Sequence, residues 1–473
     1  MTGNESLSGL YTDRYELAMA LAYWRSGRAE EPAVFDYFFR RAPFGGGYAV
    51  FAGLGTLVEA LERFRFGDTE LAFLREDGFP REFLDDLRGF AFRGSVWAPP
   101  EGEVVFADEP VLTVAGGLLE TQIIETLVLN VLNFQTLVAT KASRCRHAAG
   151  KRVLSEFGLR RAQGTGGLWA SRAAFVGGCD NTSNLAAARA YGLEAAGTMA
   201  HSFIQSYDSE LEAFRVFARV HGSSTVLLLD TYDTLRSGLP NALAVAREME
   251  ARGEKLKGVR LDSGDLAYLS RKVRAALDEA GLETVGILAS NQVDEHVIRS
   301  LKEQGARIDG FGIGTSLATG APDGALDGVY KLAETGGKPR LKASETVAKA
   351  TLPGRKTVYR MEDGDGMAMA DVVCHADEPV PDRMVHPFEP RMRLEFTGWR
   401  ARPLRDEVMR DGRPTGHVPS AAEAAERARA VLGRIPPEHL RFENPHTYKV
   451  GVSVQLRDLR DTLLAEKRKE IDS

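Results

Sequence analysis

The stretch GVRLDSGDLAYLSRKVRAALDEAGLETVGILASNQVDEHVIRSLKEQGARIDGFGIG (258–314) decides the fold. Three short β-rich runs in it, GVRLD (258–262), TVGILAS (284–290) and RIDGFGIG (307–314), are separated by the amphipathic segments DLAYLSRKVRAALDEAG (265–281) and QVDEHVIRSLKEQG (292–305). Strand, helix and strand at intervals of roughly 25–30 residues is the signature of parallel βα units. Toward the N-terminus the rhythm continues through TVLLLD (225–230), followed by the helical NALAVAREMEAR (241–252), and through AAGTMA (195–200), AAFVGG (173–178) and RVLSEF (152–157). About seven such units predict a closed α/β barrel in preference to an open sheet. No strand is followed by GxGxxG and no GxxxxGK(S/T) occurs, so dinucleotide-binding and P-loop readings lose their support.

The flanks have a different texture. A helix is predicted around 12–26, strands at AVFDYFFRR (33–41) and YAVFAGL (48–54), helices within 55–88, a Pro-rich strand region at 96–114, and one or two helices over 117–149 ending at Gly150. Beyond about 330, VYKLAE (329–334) and KPRLKAS (338–344) read as a hairpin, strands continue to about 405, and Ser420 with Glu423 marks a capping box. The closing DLRDTLLAEKRKEIDS is a charged amphipathic helix. The 473 residues carry 60 Lys and Arg against 66 Asp and Glu, a formal net charge of −6. That balance argues against a nucleic-acid binder, which shows a basic domain or stripe. Three widely spaced cysteines exclude a disulfide framework and a zinc site. The acidic, uninterrupted N-terminal segment is no secretory signal, and no run approaches the length of a membrane span, so the expected location is cytoplasmic, away from membranes.

In a βα barrel the chemistry sits at the carboxyl ends of the strands. Those ends carry Glu156, Arg160 and Arg161, then Asp180, then His201 and Ser202. Next come Asp230 and Asp233, then Arg260, Asp262 and Asp265, then Ser290 and Asn291, then Gly312, Gly314 and Thr315. Asp180, Asp230 and Asp262 each precede a helix and suit an N-cap, but polar or Gly-rich ends on every strand exceed what capping requires. The run GFGIGTSLATG (310–320) reads as an anion nest for a phosphate, against tight turns needing positive φ. Arg160, Arg161 and Arg260 offer bidentate donors to carboxylate or phosphate, with plain ion pairing as the alternative. The carboxylates of Asp230 and Asp262 suit Mg²⁺, ribose hydroxyls or acid–base work.

Taken together, LYTDRYELAMALAYW, FRRAPFGGGYAVFAGL, FGLRRAQGTGG, GGCDNTSN, GTMAHSF, LLDTYDT, VRLDSGDL, SNQVDE and FGIGTSL resemble the nicotinate phosphoribosyltransferase family in content and order. The resemblance runs from about residue 7 to about 360, includes KASETVAKATLPGRKTVYR (342–360), and thins beyond. It implies an irregular α/β barrel of the type II phosphoribosyltransferase kind, packed on a second α/β domain built from both chain ends. The expected boundaries are 136–334 for the catalytic barrel and 1–135 with 335–473 for the discontinuous domain. It also implies a homodimer with shared active sites, and the joining of nicotinate to 5-phosphoribosyl 1-pyrophosphate with coupled ATP hydrolysis and Mg²⁺. Carried onto this chain, His201 matches the histidine that ATP phosphorylates. Phe157 and Tyr15 of the partner subunit match the aromatics around the pyridine ring. Arg160 and Arg260 match substrate contacts, and Asp262 with Gly312, Gly314 and Thr315 matches the ribose and 5′-phosphate contacts. Asp230 is added as a catalytic carboxylate, and Asp180, Ser202, Ser290 and Asn291 as substrate contacts. Which of Arg160 and Arg161 holds the ring carboxylate stays open, as do the metal ligands. The competing readings are a nicotinamide or quinolinate phosphoribosyltransferase, a barrel hydrolase using strand-end carboxylates, and a phosphate-ligand sensor without turnover.

Overall fold

The structure, a computed structural model, describes residues 7–342, 351–389 and 391–472. Residues 343–350, the centre of the 342–360 stretch and the end of the KPRLKAS segment, lie outside the described residues, as do the first six residues and Ser473. The chain divides into two compact units, Met1–Thr140 with Asp323–Ser473, and Lys141–Pro322.

In the first unit, Pro32–Phe39 runs between Gly328–Thr335 and Leu112–Gly117 in a seven-stranded antiparallel sheet. Its sequence PAVFDYFF is almost wholly apolar because nearly every residue is buried, whichever face it points to. The one carboxylate in it, Asp36, is buried against Lys356 Nζ at 2.7 Å and accepts from Thr113 Oγ1 at 2.6 Å. Ser95–Ala98 pairs with Asp406–Arg410 in the same sheet, so early and late segments of the chain share it. YAVFAGL yields only the strand Ala49–Val50, because Gly53 turns left-handed (φ 100°) and caps the helix Leu54–Arg63. Ser420 and Glu423 do form the capping box of helix Ala421–Leu432.

A second, six-stranded sheet of this unit holds a buried charge network. Arg360 donates through Nε and Nη2 to Asp371 at 2.9 and 2.7 Å, through Nη1 to Glu103 at 2.7 Å, and to the Val104 carbonyl at 2.8 Å. Phe106 and Tyr448 stack 3.6 Å apart beside the guanidinium. Burial opposes the charge of Arg360, yet Asp371, Tyr448 and Glu103 more than offset it and hold the guanidinium above its ordinary range. Glu109, also buried, is pushed well above the usual carboxylate range by burial and then by Asp371. Burial and the like charge of Asp371 both favour its protonated form.

The second unit is built on a parallel sheet of six strands: β1 (Val153–Glu156), β2 (Asn181–Thr182), β3 (Val226–Leu228), β4 (Gly258–Leu261), β5 (Gly286–Ala289) and β6 (Gly310–Ile313). Their spatial order is β2-β1-β6-β5-β4-β3, every pair parallel. The first strand pairs with the last, and chain neighbours are space neighbours except between β2 and β3. That is a cyclic order with one unpaired seam among the described residues. Leu227, Leu228, Val259, Leu261 and Ile287 are buried with Ala242, Val245, Ala246, Met249, Val273 and Leu277 of the intervening helices. Burial on both faces explains the unbroken apolar runs that mark these strands.

Two predicted strands are absent. AAFVGG (173–178) belongs to the helix Gly166–Val176, in which Trp169, Ala170, Ala173, Ala174 and Val176 are all buried. A helix buried all round has no polar face, so its apolar run lacks the 3.6-residue period and mimics a strand. AAGTMA (195–200) is irregular chain with a single bridge from Ala195 to Thr182. Apart from Thr198 it lacks the β-branched and aromatic residues that favour a strand. The unpredicted strand is the two-residue β2.

Candidate active site

The DTYD and DSGD sequences after β3 and β4 divide their carboxylates between two tasks. The second of each pair is the cap: Asp233 accepts from the Leu235 and Arg236 amides, and Asp265 from the Tyr268 amide at 2.9 Å. Asp294 does the same for the helix after β5. The first of each pair, Asp230 and Asp262, caps nothing and faces the rim. Asp230 Oδ2 accepts from the Asp262 amide at 2.9 Å and Ser263 Oγ at 2.5 Å. Its Oδ1 is buried with no hydrogen-bond partner among the described residues. Asp262 Oδ1 accepts from Ser290 Oγ, which fixes that carboxylate across adjacent strands.

His201 opens the short helix His201–Gln205 and meets both carboxylate loops. Its Nδ1 shares a 3.1 Å hydrogen bond with Thr231 Oγ1, and its Nε2 lies 3.8 Å from Asp262 Oδ2. Gly238 packs close under the start of the Thr231 loop, where a Cβ would run into the Leu229 carbonyl. Arg260, on β4, donates through Nη1 to Thr198 Oγ1 at 2.5 Å, while its Nε is buried without a partner among the described residues. Burial pulls this guanidinium below its ordinary value, Asp262 and Asp230 oppose that, and Arg160 adds to it. Two carboxylates, an imidazole and a half-satisfied guanidinium thus converge on one rim.

Glu156, at the end of β1, is fully buried and has only neutral donors. It accepts from Ser171 Oγ at 2.8 Å, Thr182 Oγ1 at 2.5 Å and the Gly158 amide. These bonds shape the turn that presents Phe157, followed by Arg160 and Arg161, both exposed. The Phe157 ring lies over Gly312, where a Cβ would stand 2.5 Å from two ring carbons. Gly314 has φ −133°. Close approach of Phe157, and not positive φ, is what demands glycine at 312. Gly312→Ala is expected to cost about 1–3 kcal/mol by overpacking, read as a lower denaturation midpoint. Gly197→Ala, with nothing within 4 Å of the added carbon, should leave the midpoint unchanged; equal effects would refute the packing argument.

Some expected residues stand elsewhere. Asp180 precedes β2 and is tied to Arg146 Nη2 at 2.6 Å and the Leu154 amide at 2.8 Å, a structural ion pair away from the carboxyl rim. Tyr15 belongs to the first unit, on helix Arg14–Arg25, where burial and then Glu125 and Glu16 raise its hydroxyl above the ordinary value. Ser202 and Thr315 are exposed. Asn291 follows the buried Ser290 and, with Gln292, takes positive φ (77° and 51°), a left-handed pair unusual outside glycine. Thr198, Thr231 and Ser263 went unmarked in the sequence reading. Their only signal was a hydroxyl one to three residues from a marked charge.

The chain was compared with known proteins. Family profiles described as the N-terminal domain of nicotinate phosphoribosyltransferase (NAPRTase), the NAPRTase family and the nicotinate phosphoribosyltransferase C-terminal domain match residues 10–133, 153–376 and 355–460. A nicotinate phosphoribosyltransferase of Bacillus subtilis is 42% identical over 463 residues, covering 95% of this chain and 94% of its own. The chain belongs to the nicotinate phosphoribosyltransferase family. The crystal structure of human nicotinic acid phosphoribosyltransferase superposes with a TM-score of 0.85 at 35% identity, covering 96% of this chain and 99% of that one. That of a nicotinate-nucleotide pyrophosphorylase from Pyrococcus furiosus reaches 0.70 at 25% identity, covering 90% and 95%. Within this phosphoribosyltransferase the overall architecture is accordingly mixed α/β. No described helix is long and apolar enough to cross a membrane.

Proposed function

We propose that the chain joins nicotinate to 5-phosphoribosyl 1-pyrophosphate, coupled to ATP hydrolysis through phosphorylation of His201, and releases nicotinate mononucleotide, pyrophosphate, ADP and phosphate. The observation that carries this reading is the meeting of His201, Asp230, Asp262 and Arg260 on one strand-end rim. Displacement at the anomeric carbon builds positive charge on the ribose and negative charge on the leaving pyrophosphate. Asp262 and Asp230 suit the first and Arg260 the second, whose partnerless Nε awaits an acceptor. A phosphoryl group on His201 would add about −1.5 to −2 charges, by analogy with phosphorylated hydroxyls. Phe157 would stack on the pyridine, with Arg160 or Arg161 on its carboxylate. Tyr15 of the partner subunit would close the ring pocket, which makes a homodimer part of this reading.

Mg²⁺ fits the rim as well. Asp230 Oδ1 is a buried oxygen lacking a donor, and Asp262 adds a second carboxylate of the hard type this ion takes. Among the described residues no cluster of three or more His, Cys, Asp or Glu could hold a metal, so these two would bind it with substrate phosphates completing the shell. When bound, the ion would neutralise charge on the departing pyrophosphate. The cyclic strand order, with Ala195 bridging on to β2 at the seam, supports the irregular type II barrel. The domain reading of 136–334 against 1–135 with 335–473, and action in the cytoplasm, belong to the same proposal. The test is incubation with nicotinate, phosphoribosyl pyrophosphate, Mg²⁺ and ATP, following mononucleotide and ADP together, with nicotinamide and quinolinate as competitors. Absence of mononucleotide, or preference for either competitor, would overturn it.

A further inference from the structure

The segment that carries His201 toward the rim is held in few places. Its start is fixed by the Ala196 amide, which donates to the Thr182 carbonyl at 2.9 Å. Met199 is buried in the core of the second unit. Gly197 touches nothing within 4 Å of where a side chain would begin. Among the described residues, no backbone-to-backbone hydrogen bond anchors 197–199. A further hold is Thr198 Oγ1, which accepts from Arg260 Nη1 at 2.5 Å and donates locally to the Met199 carbonyl at 3.4 Å. Arg260 is the cation whose Nε lacks a partner, beside the two carboxylates, one of which faces His201. One hydroxyl therefore links the guanidinium that an anion would engage to the strap bearing the imidazole, three residues along.

We infer that Thr198 is a positioning residue that couples anion occupancy at Arg260 to the placement of His201. An acceptor on Nε orders the guanidinium, the ordered guanidinium fixes Thr198, and Thr198 sets the strap so that the imidazole faces Asp262. Without the hydroxyl the strap keeps its apolar anchor, its first amide and the His201 bond to Thr231, and phosphorylated His201 is exposed to water in a wider range of positions. Hydrolysis of the phosphoryl group then competes with productive turnover. In that side reaction water attacks phosphorus, the N–P bond breaks toward nitrogen, and inorganic phosphate leaves.

This inference rests on the proposed phosphohistidine reaction, and the test separates the two. Thr198→Val keeps shape and removes the hydroxyl; Thr198→Ser keeps the hydroxyl. With nicotinate, phosphoribosyl pyrophosphate, Mg²⁺ and ATP, the parent and the Ser variant are expected to release matched amounts of ADP and mononucleotide. The Val variant should release several-fold more ADP than mononucleotide, with the KM for phosphoribosyl pyrophosphate raised about tenfold, the weight of one hydrogen bond to a charged group. Thermal melting of all three should coincide. An unchanged ratio in Thr198→Val, or loss of coupling in Thr198→Ser equal to that in Val, would overturn the inference. A parent that makes mononucleotide without phosphate on His201 would instead overturn the reading beneath it. If Thr198→Val melts early, Thr198→Ala replaces it with the same expected ratio.

Discussion

Replacing His201 with alanine is expected to abolish acid-labile labelling of the protein by radioactive ATP and to lower the ATP-coupled rate by about 10²- to 10³-fold, the scale seen when one preorganised polar group is removed from an active site. The imidazole is the group that Thr231 holds at 3.1 Å and that Asp262 faces at 3.8 Å. It is also two-fifths exposed, so its loss should leave the melting temperature unchanged and the effect can be assigned to chemistry. Slow, uncoupled mononucleotide formation should persist, because Arg260, Asp262 and the Phe157 pocket remain. Labelling that survives the substitution, or a rate within a few-fold of the parent, would remove His201 from its assigned role.

The largest stability effect is expected far from that chemistry. Arg360→Ala leaves Asp371 buried without its cation, Glu103 with Arg402 alone at 3.2 Å, and stacked Phe106 and Tyr448 without their neighbour. Breaking a buried pair from one side costs about 3–5 kcal/mol. At about 2–4 °C per kcal/mol for a unit of this size, melting should fall by roughly 6–20 °C. Arg81→Ala, on a side chain 84% exposed, is the matched control and should be silent. A midpoint for Arg360→Ala within error of that control would show that the carboxylates are accommodated without the guanidinium.

The sequence made the parallel βα rhythm plain wherever a strand was buried on both faces, as in TVLLLD and TVGILAS. It failed where burial erased the period: helix 166–176 is buried nearly all round, and β2 is too short to carry a pattern. On the rim, Asp230, Asp262, His201 and Arg260 were legible because charge at a strand end is conspicuous. What the sequence could not show is which aspartate of DTYD and DSGD turns inward, because capping and catalysis ask for the same residue type. Gly312 was marked as part of an anion nest with positive φ as the alternative, and the close approach of the Phe157 ring, about 155 positions away, replaces that alternative. Asp180 was placed at a strand's end because a carboxylate before a strand and one after it look alike in a linear pattern, and it precedes β2. Thr198 and Thr231 carry no charge and drew no notice.

The pairing of β1 with β6 also governs how the pocket comes into being. Glu156 and Ile313 are register partners, and Phe157 rests on Gly312. At about 5–20 residues per second, a ribosome needs roughly 8–30 s to deliver the second half of that contact after the first. During that interval β1 can pair only with β2, and its other edge is open to any strand that offers itself. On the proposed function, the ring pocket at Phe157 is therefore completed only when β6 arrives. A nascent chain halted before residue 310 should grip no pyridine, however much of its helical layer has already formed.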